Sequence, residues 1–369
     1  MKEGEVSPLP PLLISELCQG RIRMSEEKLT ILNLRGSWRE MGREYGVRLA
    51  QELRHVLAFV DKEIPNMSPE YFFPRGLPVG VSVVDELFLG VSEGAGLTLE
   101  ELKRINVVEV AYVNRLVQFF QNAMPGKCSA LALYGDKTRD GQVLYGRNYD
   151  WLPEFSELGL VLTHYHPTDS ELSFAVLNFP GCLYMTTGMN STGLFIELND
   201  ASFASTEVDF SRIHNAWQLW EVLTQSRSAE EAIGMLQQRD AQYNYVIGVA
   251  DATRCFSYEW SIRESAVVTG DGDALAMANH FVHPNWQNRP VASAGGAISS
   301  VCRRQALLNQ ASKVPAGTGD LETMKRIFEL TVEDGGARWI ATLFQVLAEP
   351  AKRQMVIRLQ DGPWTEFCF

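Results

Sequence analysis

No stretch of this chain stays apolar for the roughly 20 residues that a bilayer-spanning helix needs, so no membrane partner is expected. Basic residues are in deficit: 33 Lys and Arg stand against 45 Asp and Glu, a formal net charge of -12. That balance argues against nucleic acid and anionic membranes, while a cationic or amphipathic small substrate stays open. Cysteines are few and scattered: Cys18, Cys128, Cys182, Cys255, Cys302 and Cys368 show no paired spacing. A disulfide framework is therefore not expected, and reduced thiols point to a cytoplasmic protein. The six histidines bring no metal-site spacing. His280 and His283, like His164 and His166 on one strand face, lack a companion set of carboxylates or thiolates, and no His-Glu-x-x-His occurs. Neither metal nor cofactor is expected. There is no internal repeat and no low-complexity tract, and Gly126–Cys128 lacks the spacing of a phosphate loop. The run Leu9–Ile14 is too short and too Pro-rich for a signal peptide, so residues 1–30 read as a flexible tail, with Met24 as an alternative start.

What the chain does hold is a globular composition, 46% hydrophobic and 21% charged over 369 residues, enough for one large domain or two smaller ones. From Ser37 to about Ile64, Trp38, Met41, Tyr45, Leu49, Leu53, Val56 and Val60 recur at helical spacing. Gly42 and Gly46 add a smooth strip for close packing. Thr98 and Glu101 form a capping box, with Leu97 against Leu102 as its staple, at the head of a helix running towards Phe119. Residues 31–127 thus read as a mainly helical segment, interrupted by an irregular stretch at Asn66–Val79. The break Asn122–Lys127 ends it.

Beyond the break, strands dominate: Ser129–Tyr134, Gln142–Arg147, Leu160–His166, Leu172–Phe179, Leu194–Leu198, Asn244–Ala250 and Cys255–Ile262, then Trp339–Leu347 and Gln354–Leu359. Helices are expected over about His214–Gln225, Ala229–Gln238 (capped by Ser228 with Glu231), Val301–Asn309 and Leu321–Thr331. Strands, a helix pair, more strands, helices and closing strands suit layered antiparallel sheets with helices outside.

Cys128 opens the first of those strands, whereas the thiol of a papain-like protease starts a helix. Folding the hairpin about the Gly135–Gly141 loop sets Cys128 opposite Asn148 and brings Arg147 and Asp150 close to the thiol. A guanidinium there favours thiolate. The bland alternative is a buried free Cys beside a structural Arg–Asp pair. Further on, Gly188–Asn199 is a turn feeding a strand that ends on an amide. Ala276–Phe281 sets Asn279 and His280 after an apolar run, and Ser299–Arg304 puts a basic residue near a helix start.

Taken in order, Glu93–Leu97, Cys128-Ser129-Ala130, Gly146–Trp151, Gly188–Asn199, Asn244–Asp251, Asn279-His280 and Ser300–Arg303 resemble the N-terminal-nucleophile amide hydrolases. The chain is most similar to the self-processing branch of acyl-CoA:6-aminopenicillanic acid acyltransferase (peptidase C45), related to choloylglycine hydrolase. The resemblance implies an α/β (α+β) fold, an αββα sandwich formed by residues 128–369. Residues 31–127 would be cut off between Lys127 and Cys128 and kept as a partner chain. It implies Cys128 as nucleophile through sulfur and base through its freed α-amine. Asp150 would hold that amine and Arg147 would polarise the thiol. Asn199 would donate to the oxyanion, and Asn279 to the amine or the substrate amide. Arg303, more than Arg304, would brace the pocket or meet a substrate carboxylate. Lys127 departs from the Gly that many relatives carry before the nucleophile. The implied substrate is a small amide or acyl thioester, with a homo-oligomer compatible with the chain. Two rivals remain: a Cys128–His280 thiol hydrolase, and a non-enzymatic binding protein on an uncleaved scaffold. Phe72-Phe73 is the candidate apolar acyl pocket.

Overall fold

Alternation of side chains across β-strands, and their recurrence along helices, is what layers this chain. The computed structural model describes residues 29–63, 79–109, 128–201, 207–286 and 294–369. The strands are β1 (Leu29–Gly36), β2 (Ser129–Leu133), β3 (Leu144–Asp150), β4 (Leu160–Pro167), β5 (Phe174–Asn178), β6 (Thr187–Asn190), β7 (Phe195–Asp200), β8 (Tyr245–Ala250), β9 (Cys255–Trp260), β10 (Ser265–Val268), β11 (Ala274–Met277), β12 (Thr342–Glu349), β13 (Gln354–Leu359) and β14 (Trp364–Cys368). The helices are α1 (Trp38–Arg48), α2 (Ala50–Glu63), α3 (Ser82–Ala95), α4 (Leu99–Asn106), α5 (Asn215–Gln225), α6 (Ala229–Leu236), α7 (Ala294–Ser312) and α8 (Leu321–Glu329).

One sheet has the order β1-β4-β5-β6-β7-β8-β9-β10, the other β11-β2-β3-β12-β13-β14. Every pairing is antiparallel except β1 with β4. Helices α1, α5 and α6 pack against the first sheet, and α7 and α8 against the second. The layers are thus the expected αββα sandwich. One core, including Phe195, Tyr145 and Val346, fills the space between the sheets and continues under the first helices. A smaller one, around Leu131, Leu133, Leu307, Met324 and Phe328, lies between the second sheet and α7 with α8. Among the described residues, no helix is long and apolar enough to cross a membrane.

Three local differences from the sequence reading have physical reasons. Apolar spacing from Ser37 suggests one helix, yet Leu49 (φ -111°, ψ 19°) separates α1 from α2. Leu49 and Leu53 are both buried, so the spacing reports the inward face and not the continuity of the backbone. Strand β1 lies across the end of the expected tail, at Leu29 and Thr30, and the start of the expected helical segment; Leu32 and Leu34 alternate into the core, and β1 runs parallel to β4 from Leu29 opposite Leu160 to Gly36 opposite Pro167. The β2–β3 hairpin pairs Ser129, not Cys128, with Asn148. Its loop holds a turn of 3-10 helix at Gly135–Lys137, tied to Gly319 through Arg139 and Lys137, which moves the fold point by half a residue. The expected capping box at Thr98 is present, and a second one, at Ser37 with Glu40, heads α1. The Leu9–Ile14 tail, Cys18, Met24, the Phe72-Phe73 pocket, Phe119 and the Asn122–Lys127 break lie outside the described residues.

Candidate active site

Strand β3 explains why the site has two sides. In Gly146-Arg147-Asn148-Tyr149-Asp150, alternate residues face opposite ways. Arg147 points between the sheets, and Gly146 points to α8, where a Cβ would lie 2.3 Å from the Phe328 ring. Asp150, on the α8 side like Gly146, meets α7. Cys128, the residue before β2, stands where both sides can reach it: its sulfur on one, its backbone on the other.

Around the sulfur, Arg147 Nη2 lies 3.6 Å from Cys128 Sγ and donates to Leu198 O at 3.1 Å. Nη1 donates to Thr186 O at 2.6 Å and Thr187 Oγ1 at 2.5 Å. Glu197 on β7 lies behind the guanidinium, Oε2 at 3.5 Å from Nε. Tyr145 Oη and Asn199 Nδ2 donate to Glu197 Oε1 at 2.8 and 2.6 Å. Arg147, Glu197 and Asn199 are fully buried. The Arg147 guanidinium also sits 5.1 Å above the Tyr149 ring, which stacks on Phe344 at 4.3 Å.

Around the backbone, Arg303 on α7 bonds to Asp150 Oδ2, and its Nη2 donates to Cys128 O at 3.4 Å and Asn279 Oδ1 at 3.2 Å. Thr342 Oγ1 donates to Asp150 Oδ1 at 2.6 Å. Asn279 Nδ2 donates to Asp200 O at 2.7 Å, and its backbone N–H donates to Ser300 Oγ at 2.8 Å. Arg303 therefore gathers Cys128, Asp150 and Asn279, which lie up to 175 residues from it in sequence. Arg304 instead donates to Ala276 O at 2.8 Å, bracing β11. Lys127 lies outside the described residues.

Electrostatics corrects one expectation. Burial pushes the Cys128 thiol up to about 11, and although Arg147 pulls it down, Asp150 and Glu197 push the same way as burial. The sulfur is thereby held as a neutral thiol, because burial outweighs the pull of a guanidinium that a carboxylate and three oxygens also engage. Cys182 and Cys255 are also pushed up by burial, with carboxylates rather than a guanidinium among the charges acting on them. Burial raises Asp150 to about 6 against the opposing pull of Arg303.

The rival thiol–His pairing is not formed: His280 Nδ1 lies 2.7 Å from Ser300 Oγ, and burial lowers the ring to about 4. His164 and His166 pack ring on ring, 3.9 Å between centroids, beside Phe367 and Phe369. Among the described residues no group of His, Cys, Asp and Glu could hold a metal ion. Residues that sequence reasoning passed over are Glu197, Tyr145, Thr187, Ser300 and Thr342. Glu197 was recoverable, since it stands two places before Asn199 and so shares its strand face.

The chain is thus an αββα sandwich in which Cys128 stands at the head of β2, inside the second sheet. Residues 137–364 match the model of acyl-coenzyme A:6-aminopenicillanic acid acyl-transferase, and the chain belongs to that family. The matched stretch contains Arg147, Asp150, Asn199, Asn279 and Arg303 and starts after Cys128. An uncharacterized protein of Archaeoglobus fulgidus is 23% identical over 302 residues, 69% of this chain; the chain spans half the length of that relative. Among solved structures, the Caenorhabditis elegans ortholog of N-acylethanolamine-hydrolyzing acid amidase is similar at 15% identity and a TM-score of 0.46, over 61% of this chain and 93% of that one. A variant of the conjugated bile acid hydrolase from Clostridium perfringens is similar at 14% identity and a TM-score of 0.43, over 65% and 92%.

Proposed function

We propose that this protein is a self-processing cysteine amide hydrolase or N-acyltransferase that works through an acyl-enzyme on Cys128. The supporting observation is that a single residue at a strand head is held twice, its sulfur by Arg147 and its backbone by the Arg303–Asp150–Asn279 group.

In maturation, the Cys128 sulfur attacks the Lys127 carbonyl carbon, the thiol proton passes to the departing nitrogen, and the C–N bond breaks. Water then cleaves the thioester, leaving a carboxylate on Lys127 and a free amine on Cys128. That amine, with an ordinary pKa of about 8, is the base the neutral thiol lacks. Asp150 holds it. On substrate, the amine takes the thiol proton as sulfur attacks an amide or thioester carbonyl, then returns it to the leaving group. The acyl group passes to water or to an amine acceptor. Asn199 has one Nδ2 hydrogen beyond that given to Glu197, and we assign it to the oxyanion, where one donor is worth about 3 kcal/mol. Arg303 braces the nucleophile, and Asn279 fixes the amine or the substrate amide. The five free cysteines among the described residues support a reducing, cytoplasmic setting.

Denaturing mass spectrometry separates the cases: a matured enzyme gives two fragments in place of one 41.3 kDa chain. Cys128→Ala abolishes both cleavage and turnover. Fragments persisting in that variant, or turnover without Cys128, refute the reading; an intact, inactive wild type favours a binding protein on the same scaffold.

A further inference from the structure

Glu197 is a buried carboxyl that the chemistry above leaves unused. It is fully enclosed, and every polar group reaching it is a donor: Tyr145 Oη and Asn199 Nδ2 on Oε1, and Arg147 Nε opposite Oε2 at 3.5 Å. Arg147 Nε and Glu197 Oε2 have no hydrogen-bond partner elsewhere, so each is the other's counterpart. The backbone makes room for this arrangement. A Cβ on Gly248, the β8 residue opposite Glu197, would lie 1.9 Å from Tyr145 Oη and 2.7 Å from Glu197 Oε1.

We propose that Glu197 is a positioning residue for the chemistry of Cys128: its carboxylate fixes the Arg147 guanidinium against the sulfur and takes up that cation's charge. The proposal rests on Cys128 being the nucleophile. Burial raises the Glu197 carboxyl, opposed by Arg147, Tyr145 and Asn199. Tyr145 Oη can also accept, with Met277 Sδ 3.7 Å away to take its hydrogen, but Arg147 Nε and Asn199 Nδ2 can only donate, and the guanidinium beside Oε2 favours the ionised form. The consequence is specific. With Glu197 ionised, Arg147 orients the sulfur without making it a thiolate, and proton removal is left to the amine. The charged and titratable groups facing the sulfur are Arg147 and Asp150 from β3 and Glu197 from β7, with Arg303 from α7 on the backbone side. Those facing Glu197 are Arg147, Tyr145, Cys128 and Cys255.

The test is the pH dependence of Cys128 alkylation by iodoacetamide, read by peptide mass, alongside steady-state kinetics. In Glu197→Gln the guanidinium charge is no longer balanced, and the alkylation midpoint falls by about one pH unit or more. Turnover drops about tenfold or more with KM within about threefold, because an interaction serving the reacting groups is lost. Glu197→Asp keeps the charge but withdraws it by one methylene, and its midpoint falls between the other two. Lost activity with an unmoved midpoint makes Glu197 merely structural and overturns the proposal. If Glu197→Gln does not fold, an unmoved midpoint in Glu197→Asp overturns it equally. Absence of an acylated Cys128 in the wild type with acyl donors would instead remove the nucleophile reading and leave the alkylation comparison standing.

Discussion

Cys128 shows how one position can be served by two unlike environments. Its sulfur lies on the inter-sheet side with Arg147, and its carbonyl on the α7 side with Arg303. Asp150 links this geometry to pH. Its carboxyl is raised to about 6 by burial, so it is charged above that value and a neutral acid below it. The amine base is itself lost below about 8, and protonating Asp150 then adds a second acid limb: below about 6 the fall in kcat/KM should steepen from about tenfold to about a hundredfold per pH unit. Asp150→Asn should lose both that acid limb and most of the activity; a limb at the same pH in the variant would assign it to another group. For stability the sign is the reverse of a salt-bridged carboxylate. The native state binds the proton more tightly than the unfolded chain, so this group makes folding less favourable as pH rises from about 4 to about 6. The identities of Cys128, Arg147, Asp150, Asn279 and Arg303 were legible as motifs in order. Their bonding was not: Arg303 reaches back 175 residues, and the neutrality of the thiol depends on burial outweighing a nearby cation.

The pairing of α1 with α3 rests on glycines from both sides. A Cβ would lie 2.6 Å from Leu87 O at Gly42, 2.5 Å from Val91 O at Gly46, 2.2 Å from Arg39 O at Gly90, and 2.0 Å from Arg43 O at Gly94. These obstacles are backbone atoms, which cannot turn aside as a side-chain tip would. Gly94→Ala should therefore force the helices apart and cost about 1–3 kcal/mol, despite alanine's better helix propensity. Chemical denaturation checks this; equal or higher stability would mean the helices separate freely. The sequence offered Gly42 and Gly46 as a smooth strip, and the structure supplies the partner strip, Gly90 and Gly94. Periodicity can identify a face for packing but does not say which neighbour it meets.

Strand β1 ties the segment before Cys128 into the larger sheet by a parallel ladder eight residues long. The same segment contributes Leu34, Met41, Leu53, Val91 and Ile105 to the main core. Asn106 Nδ2 donates to Gly181 O at 2.8 Å, and Leu183 N–H donates to Asn106 Oδ1 at 2.6 Å, adding buried polar links across the divide. Cutting one peptide bond removes none of these contacts. We expect the two fragments to elute together in native size-exclusion chromatography and to part only in denaturant; separate elution under native conditions would show that the N-terminal segment is released.

The order of strands and helices, the capped helix starts and the residues able to carry thiol chemistry were set by local rules of spacing and residue type. Such rules act within a few residues, so they were readable along the chain. Only the packed sandwich decided the half-residue shift of the β2–β3 hairpin, the placing of β1 beside β4, and the enclosure of Glu197 behind Arg147. Each of those depends on groups far apart in sequence excluding water from one another, and that exclusion makes a buried charge count.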